Sequence, residues 1–470
     1  MLRLYNTMTR SMDEFRPIDG DKVSLYACGL TVYNYAHIGN LRTYVFEDVL
    51  VRALRARGYQ VRHVMNVTDV GHLTSDADTG EDKVEAGARR EGKTAHEIAE
   101  FYWGEFRNDL ARLNIVEPDV WCKATEHIDD QIGLVRALES KGYTYTIEGD
   151  GVYFDTSKLA DYGKLGRLDI EGLQAGARVE MVAGKRNITD FSLWKFSPKG
   201  VKRQMEWPSP WGVGFPGWHI ECSAMAIKHL GERLDIHCGG VDHVNVHHTN
   251  EIAQAEAALG HPWCNWWMHG AWLVIPKGGG EDAKMSKSSG EFLTIQSLID
   301  RGYDPLAYRY FCLNAHYRQQ LAFSWEALDA AASGFDRLRN RVLELKAAAD
   351  QPGQAAEPHI GTFREAIDED LNTPRAMAAM WGLLRDANLA PAVAYATMLD
   401  MDKVLGFGVQ KMQPEHVELP DEVGQLIQQR EDARKAKDFQ AADAIRARLA
   451  GMGFEVKDSP DGPVVRKLKG

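Results

Sequence analysis

Three groups of residues in this 470-residue sequence have types and spacings that could do chemistry. The first is His37-Ile38-Gly39-Asn40, which stands immediately before an apolar periodicity that reads as a helix. Free amides and the dipole at a helix N-terminus favour phosphate, and Gly39 would let a nucleotide approach the backbone. A capping turn with an incidental histidine would carry the same four residues. The second is Lys284-Met285-Ser286-Lys287, on a loop that also holds Gly278-Gly279-Gly280. Its two ammonium groups could follow and neutralise charge developing on a polyphosphate, and it lacks the glycine spacing of a Walker motif. The third is Cys28, Cys222, His247 and Glu251. His247 and Glu251 are four apart on an expected helix and share a face. Thiolates, an imidazole and a carboxylate suit Zn2+, but cysteines so far apart in sequence could equally be small packing residues.

The elements around these groups imply a parallel sheet. Val23 to Gly29 reads as a strand, Leu41, Val45, Val49, Leu50 and Leu54 mark a helix stopped by Gly58, and Val61 to Thr68 is β-rich. Strand, helix, strand at this length is a βαβ unit, so the loop carrying His37 lies at a strand's carboxyl end, where such sheets bind ligands. Leu234 to Cys238 and a helix over about His247 to Leu259 repeat the pattern as a second half of the same sheet. Between the halves, Gly142 to Ile147 and Val152 to Asp155 flank Glu-Gly-Asp-Gly as a hairpin, which marks residues 120–205 as an insertion. From about Pro305 the chain reads as almost wholly helical. A short linker is expected at Gln351 to Pro358 and another joint at Glu418 to Pro420.

Composition narrows the function classes. Hydrophobic residues make up 44% and charged residues 26%, which excludes a disordered or fibrous protein. With a formal net charge of −12, any polyanion must be met by a local patch and not by a uniformly basic surface. The six cysteines have no Cys-x-x-Cys spacing, as expected of reduced thiols in the cytoplasm. No apolar run approaches the ~18 residues of a membrane span, and the first residues do not form a signal peptide. Residues 421–470 hold ten Lys plus Arg against nine Asp plus Glu, so the tail is the less acidic part. Arg430, Arg434, Lys435, Lys437, Arg446 and Arg448 are expected to form a patch there.

Further motifs run along the whole chain: Tyr26-Ala-Cys28-Gly29-Leu-Thr-Val-Tyr33 with His37-Ile-Gly39, Asn66-Val-Thr68-Asp69, and Leu173-Gln-Ala-Gly-Ala-Arg178. Pro216-Gly-Trp218-His219-Ile-Glu221-Cys222-Ser-Ala-Met225, Gly239-Gly240 with Asp242, Asp368-Glu-Asp-Leu-Asn-Thr-Pro374 and Ala433-Arg-Lys-Ala-Lys-Asp438 follow. In this order, with Lys284 to Lys287, they resemble the bacterial-type cysteinyl-tRNA synthetases, a family of class I aminoacyl-tRNA synthetases. The resemblance implies an α/β fold: a Rossmann-like catalytic domain (1–119 and 206–280) split by the insertion (120–205), then a junction bearing the Lys-Met-Ser-Lys loop (281–350). A helical anticodon-binding domain (351–418) and a tRNA-binding helical pair with a tail (419–470) would complete it.

It also implies one zinc ion on Cys28, Cys222, His247 and Glu251, where a thiolate substrate is bound in preference to serine. Catalytic roles fall to His37, Asn40, Lys284 and Lys287. ATP would be bound by His37, Gly39, Asn40 and Lys287 together with Mg2+, and the other substrate contacts would be Gly29, Thr68, Trp218 and Asp242. Two departures stand out: Asn40 replaces a usual histidine, and Cys238 stands where glycine is common. The implied partners are ATP, L-cysteine and tRNA(Cys), with no membrane, for a cytoplasmic monomer. Two rival functions are a cysteine ligase with a small amine acceptor, which would have little use for the C-terminal part, and a non-catalytic cysteine or tRNA sensor.

Overall fold

The computed structural model describes all residues except 76–78, 170–182, 199, 201–202, 277–281, 285–291, 350–352, 414–419, 460–461 and 468–470. Its centre is a five-stranded parallel sheet of β1 (Lys22–Ala27), β2 (Gln60–Val67), β3 (Val120–Lys123), β4 (Leu234–Gly240) and β5 (Cys264–Gly270), in the order β5-β4-β1-β2-β3. Both faces are covered, so the last five residues of β2 are all buried and alternation is lost. Helix α1 (Ile38–Ala56) joins β1 to β2, α2 (Trp218–Leu230) leads into β4, and α3 (His247–Leu259) joins β4 to β5. The chain order reverses between β1 and β4. At such a switch point the carboxyl ends of the two strands part and leave a crevice.

Local sequence explains α1. His37 caps it and Asn40 closes a reciprocal capping box, while Leu41, Val45, Val49, Leu50 and Leu54 are buried along one face. The chain leaves the helix through Gly58, whose φ of +89° suits glycine. Arg42, only 4% exposed, donates from this helix to the carbonyls of Ala271, Trp272, His316 and Gln319. It thereby ties the head of the helix to the segment leading toward the lysine loop.

The hairpin within the insertion pairs Thr144–Ile147 with Gly151–Phe154, and Phe191–Phe196 and Gly214–Pro216 extend it to a four-stranded antiparallel sheet. The segment assigned to 120–205 therefore begins inside the catalytic sheet, because β3 pairs with β2 through Val64 and Val120. It also closes beyond 205. A four-residue edge strand with only Cys122 fully buried carries little periodic signal.

Helices Pro305–Leu313, Trp325–Ala347, Glu357–Asp368, Thr373–Arg385 and Pro391–Leu405 follow, the first and last packing on α1, and Arg309 of the first is fully buried. Its guanidinium meets Asp48 of α1 and donates to the carbonyls of Leu405 and Leu113. The expected linker is shorter than 351–358, since Glu357 and Pro358 already belong to a helix. The joint at 418–420 lies mostly outside the described residues.

Beyond it, Asp421–Lys435 and Phe439–Gly451 form the helical pair, and the tail is a β-hairpin of Phe454–Ser459 and Gly462–Lys467. These elements share a small core of Val423, Leu426, Leu449, Phe454 and Val456. Arg430 is 3% exposed, so it does not belong to a surface patch, and Arg448 is paired with Glu422. Lys435, Lys437 and Arg446 are exposed, and Arg434 is half-buried. No helix among the described residues is long and apolar enough to cross a membrane.

Candidate active site

The crevice at the switch point is a cleft of about 460 Å³. Cys28 and Gly29 enter it from the end of β1, Thr68 from the end of β2, and His37, Gly39 and Asn40 from the head of α1. Trp218 and Cys222 of α2, Asp242 after β4 and His247 of α3 complete the set, so residues scattered through the sequence share one wall-to-wall space.

At its floor, ligand atoms of Cys28, Cys222, His247 and Glu251 lie within 4.8 Å of one another, and all four residues are buried. Glu251 Oε1 is 3.0 Å from His247 Nε2, while Oε2 accepts from His237 Nε2 at 2.8 Å. A second foursome keeps Cys28 and Glu251 but uses His237 and His248. Cys222 and His247 line the cleft and those two histidines do not, so the first set is the one open to a substrate. His248 instead meets Cys28 Sγ at 3.3 Å through Nε2, and its Nδ1 is held by His269 at 2.8 Å. His237 and His248 thus behave as supports that orient donors.

The charges at the floor fit a divalent cation. Burial, with Cys222 alongside, pushes the Cys28 thiol well up. Burial opposes ionisation of Cys222 too, but the hydrogen bond from Cys28 and the neighbouring His247 bring it down to about 6. His247 rises to about 10, because Glu251 and Cys222 outweigh its burial. The Glu251 carboxyl, despite burial, is held far below its usual range by His237 and His247. The site therefore gathers a lowered thiol, a raised imidazole and a carboxylate held ionised, a donor set from which a divalent cation can displace protons.

At the phosphate-favouring end, His37 Nδ1 accepts the Asn40 amide at 3.0 Å, so in the neutral ring Nε2 keeps the proton. The Asn40 side-chain oxygen turns back to accept the His37 amide at 3.3 Å, a bond that a cationic histidine could not make. Between the two ends, Asn66 takes the Gly29 amide at 2.8 Å and donates to Thr68 Oγ1 at 3.0 Å. A Cβ on Gly29 would fall 1.8 Å from the Asn66 carbonyl, so only glycine fits there. Trp218 stacks on His72 at 4.1 Å and leans on His247 at 4.3 Å. Asp242 is exposed and lies close against Gly240, with Trp272 Nε1 donating to it at 3.4 Å. Lys284 ends a strand whose backbone pairs with Val274; its side chain, Lys287 and Gly278 to Gly280 lie outside the described residues.

Family models match three stretches of the chain. The tRNA synthetase class I (C) catalytic domain covers residues 14–333, the DALR domain 362–410, and the cysteinyl-tRNA ligase anticodon binding domain 416–466. A cysteine–tRNA ligase 1 of Burkholderia lata is 53% identical over 98% of this chain and 96% of its own length. The chain belongs to the cysteinyl-tRNA synthetase family. Cysteine–tRNA ligases of Treponema denticola (44% identical, 99% of this chain and 100% of the relative) and Novosphingobium aromaticivorans (45%, 97% and 95%) are also similar. Among solved structures, a Mycobacterium tuberculosis methionyl-tRNA synthetase with methionyl-adenylate shares the fold, with a TM-score of 0.54 and 17% identity over 90% of this chain and 96% of that one.

The sequence reading did not single out His237, His248, His269, His72 or Lys83. His248 stands three residues before Glu251, a helix-face spacing that was available as a signal; the others come together only through packing. Cys238 belongs to neither foursome, and its thiol lies 3.6 Å from the Tyr26 carbonyl.

Proposed function

We propose that this chain activates L-cysteine with ATP to cysteinyl-adenylate and pyrophosphate, then transfers the cysteinyl group to the 3′ end of tRNA(Cys). The observation that carries the reading is the position of the buried Cys28, Cys222, His247 and Glu251 cluster at the floor of the same cleft that receives the head of α1. Cys28, Cys222, His247 and Glu251 would hold one zinc ion, which when bound supplies a soft Lewis acid that gains far more from a thiolate than from a serine hydroxyl. His237 orients Glu251 for that role.

Gly29, Thr68 and Trp218 frame the amino acid, and the Asn66 bridge between Gly29 and Thr68 keeps that frame rigid. His37 donates from Nε2 to phosphate oxygens, Gly39 lets them approach the backbone, and Asn40 holds the His37 ring in that tautomer. Lys284 and Lys287 neutralise the departing pyrophosphate, with Mg2+ arriving on ATP, and Asp242 accepts from the ribose hydroxyls.

A carboxylate oxygen of cysteine attacks the α-phosphorus and pyrophosphate leaves. A terminal ribose hydroxyl of tRNA then attacks the carbonyl carbon and AMP leaves. Neither step needs a side-chain nucleophile, so catalysis rests on positioning and on fixed charge. The C-terminal match to an anticodon binding domain favours tRNA over a small amine as the acceptor. The reading includes a cytoplasmic location and a monomer. Cysteine-dependent ATP–pyrophosphate exchange, followed by transfer to tRNA, tests it. Exchange without transfer would favour a small-molecule acceptor, and no exchange at all would leave only a sensor.

A further inference from the structure

Among the described residues that line the cleft, Lys83 is the one lysine or arginine. It begins the helix Lys83–Glu91, fourteen residues after Asp69. Its ammonium lies 2.6 Å from His72 Nε2. An ammonium only donates, so the ring accepts there and carries its proton on Nδ1, 2.6 Å from Thr31 Oγ1. The ring cannot swing aside, because it is stacked face to face on Trp218 with 8° between the planes.

The backbone is tied in the same place. The Lys83 amide donates to the His72 carbonyl at 3.0 Å. Asp82, 1% exposed, accepts the Gly71 and Val84 amides at 2.8 Å each and has Arg203 beside it at 3.4 Å. Trp218 in turn packs on His247, so the ammonium holds a set relation to the thiol-binding floor. Such a group is preorganised to meet a charge, and the substrates bring two anionic groups to this region: the amino-acid carboxylate and the phosphate that it attacks.

Resting on the reading that this cleft forms cysteinyl-adenylate, we propose that Lys83 is a substrate-binding residue whose ammonium, aimed by His72, takes an anionic oxygen at the reacting end of the substrates. Losing one charge-assisted hydrogen bond should weaken the affected ligand about 10- to 100-fold.

The test uses full-length, zinc-loaded protein and compares Lys83→Gln and Lys83→Arg with the unmodified chain. Binding of cysteine, of cysteamine, which lacks the carboxylate, and of a non-hydrolysable ATP analogue is measured by calorimetry beside cysteine-dependent exchange. If the carboxylate is the partner, Lys83→Gln weakens cysteine and spares cysteamine. If the phosphate is the partner, it weakens the ATP analogue alone. Lys83→Arg should recover part of the loss in either case.

Melting temperature and zinc content are followed to check folding. His72→Phe, which keeps a ring for Trp218 but removes the acceptor, should weaken the same ligand and serves if the Gln variant does not fold. Unchanged affinities and exchange in both variants would overturn the inference, as would a loss confined to transfer onto tRNA. A parent enzyme without cysteine-dependent exchange would instead overturn the functional reading itself.

Discussion

At the floor of the cleft, Cys28 at the end of β1, Cys222 of α2 and the pair His247 and Glu251 of α3 come together from three segments and are all buried. Residues 421–467 instead expose Lys435, Lys437, Arg446 and Phe439 from one helical pair, over a core cluster that holds five buried apolar residues among those described. In the first region each donor is set by its neighbours' hydrogen bonds, so removing one group leaves another desolvated and uncompensated. In the second the groups stand in water, where removing one costs little stability and should act on recognition alone. Under the proposed function, selection of a small substrate and recognition of a polyanion would rest on different physics within one chain.

The largest expected effect is at the floor. A steric site separates near-isosteres by only ~10–200-fold, so zinc-loaded enzyme should activate serine more than ~1000-fold less than cysteine. Cys222→Ala should lose both the bound zinc and the activation of cysteine, whereas Cys264→Ala should lose neither. Exchange rates and elemental analysis check this. A cysteine-to-serine ratio near ~100 would mean that shape alone discriminates, and the contrast between the regions would collapse.

Burial should dominate elsewhere in the catalytic part as well. Asp48→Ala leaves the fully buried Arg309 guanidinium without its carboxylate and should cost about 3–5 kcal/mol in urea unfolding. A loss under ~1 kcal/mol, the size of an exposed pair, would show that water reaches Arg309.

His63 gives a pH-dependent version of the same argument. It is 3% exposed in β2, neither ring nitrogen has a hydrogen-bond partner among the described residues, and burial lowers it to about 4. Its unfolded form takes up a proton first. The stability it contributes is therefore complete above about pH 6.5 and is lost as pH falls toward 4, amounting to roughly 3 kcal/mol. His63→Phe should flatten that part of the stability–pH curve, and an unaltered slope would locate the acid sensitivity elsewhere.

The C-terminal module should respond in function and not in folding. Phe439 is 63% exposed two residues after the exposed Lys437, as a stacking face for a base would be, so Phe439→Ala should weaken tRNA charging about 5- to 100-fold. Removing residues 421–470 should do at least as much, and pyrophosphate exchange should survive both changes. Equal loss of exchange and charging would make the module structural. The smallest effect is expected for Arg448→Ala. Arg448 and its partner Glu422 are each 59% exposed, so the melt should shift by less than ~1 kcal/mol.

Much of the catalytic half was readable in sequence because its signals are local. The 3.6-residue spacing of Leu41 to Leu54 and the i, i+4 relation of His247 to Glu251 need no distant partner, and each lies where expected; the capping turn that His37 to Asn40 also allowed is present as a reciprocal box. Four-residue β3 was not recognised as a catalytic strand, because a short edge strand is defined by its pairing with β2 and not by its own pattern. Arg430 was misplaced on the surface for a similar reason. A charged residue in a basic run reads as solvated, and only the packing of the helical pair buries it.

The sequence by itself determined the residue types, the helix faces, the alternation of strands and helices that implies a parallel sheet, and the family. Only the tertiary structure decided that the order β5-β4-β1-β2-β3 opens a crevice between β1 and β4. It also decided that two candidate foursomes share Cys28 and Glu251, and that His72 and Lys83 meet at the wall of the cleft. Short-range pattern is set by covalent spacing, which the sequence states outright. Which side chains share a buried volume depends on how distant segments pack, and a hydrogen bond between residues far apart in the chain has no periodicity to betray it.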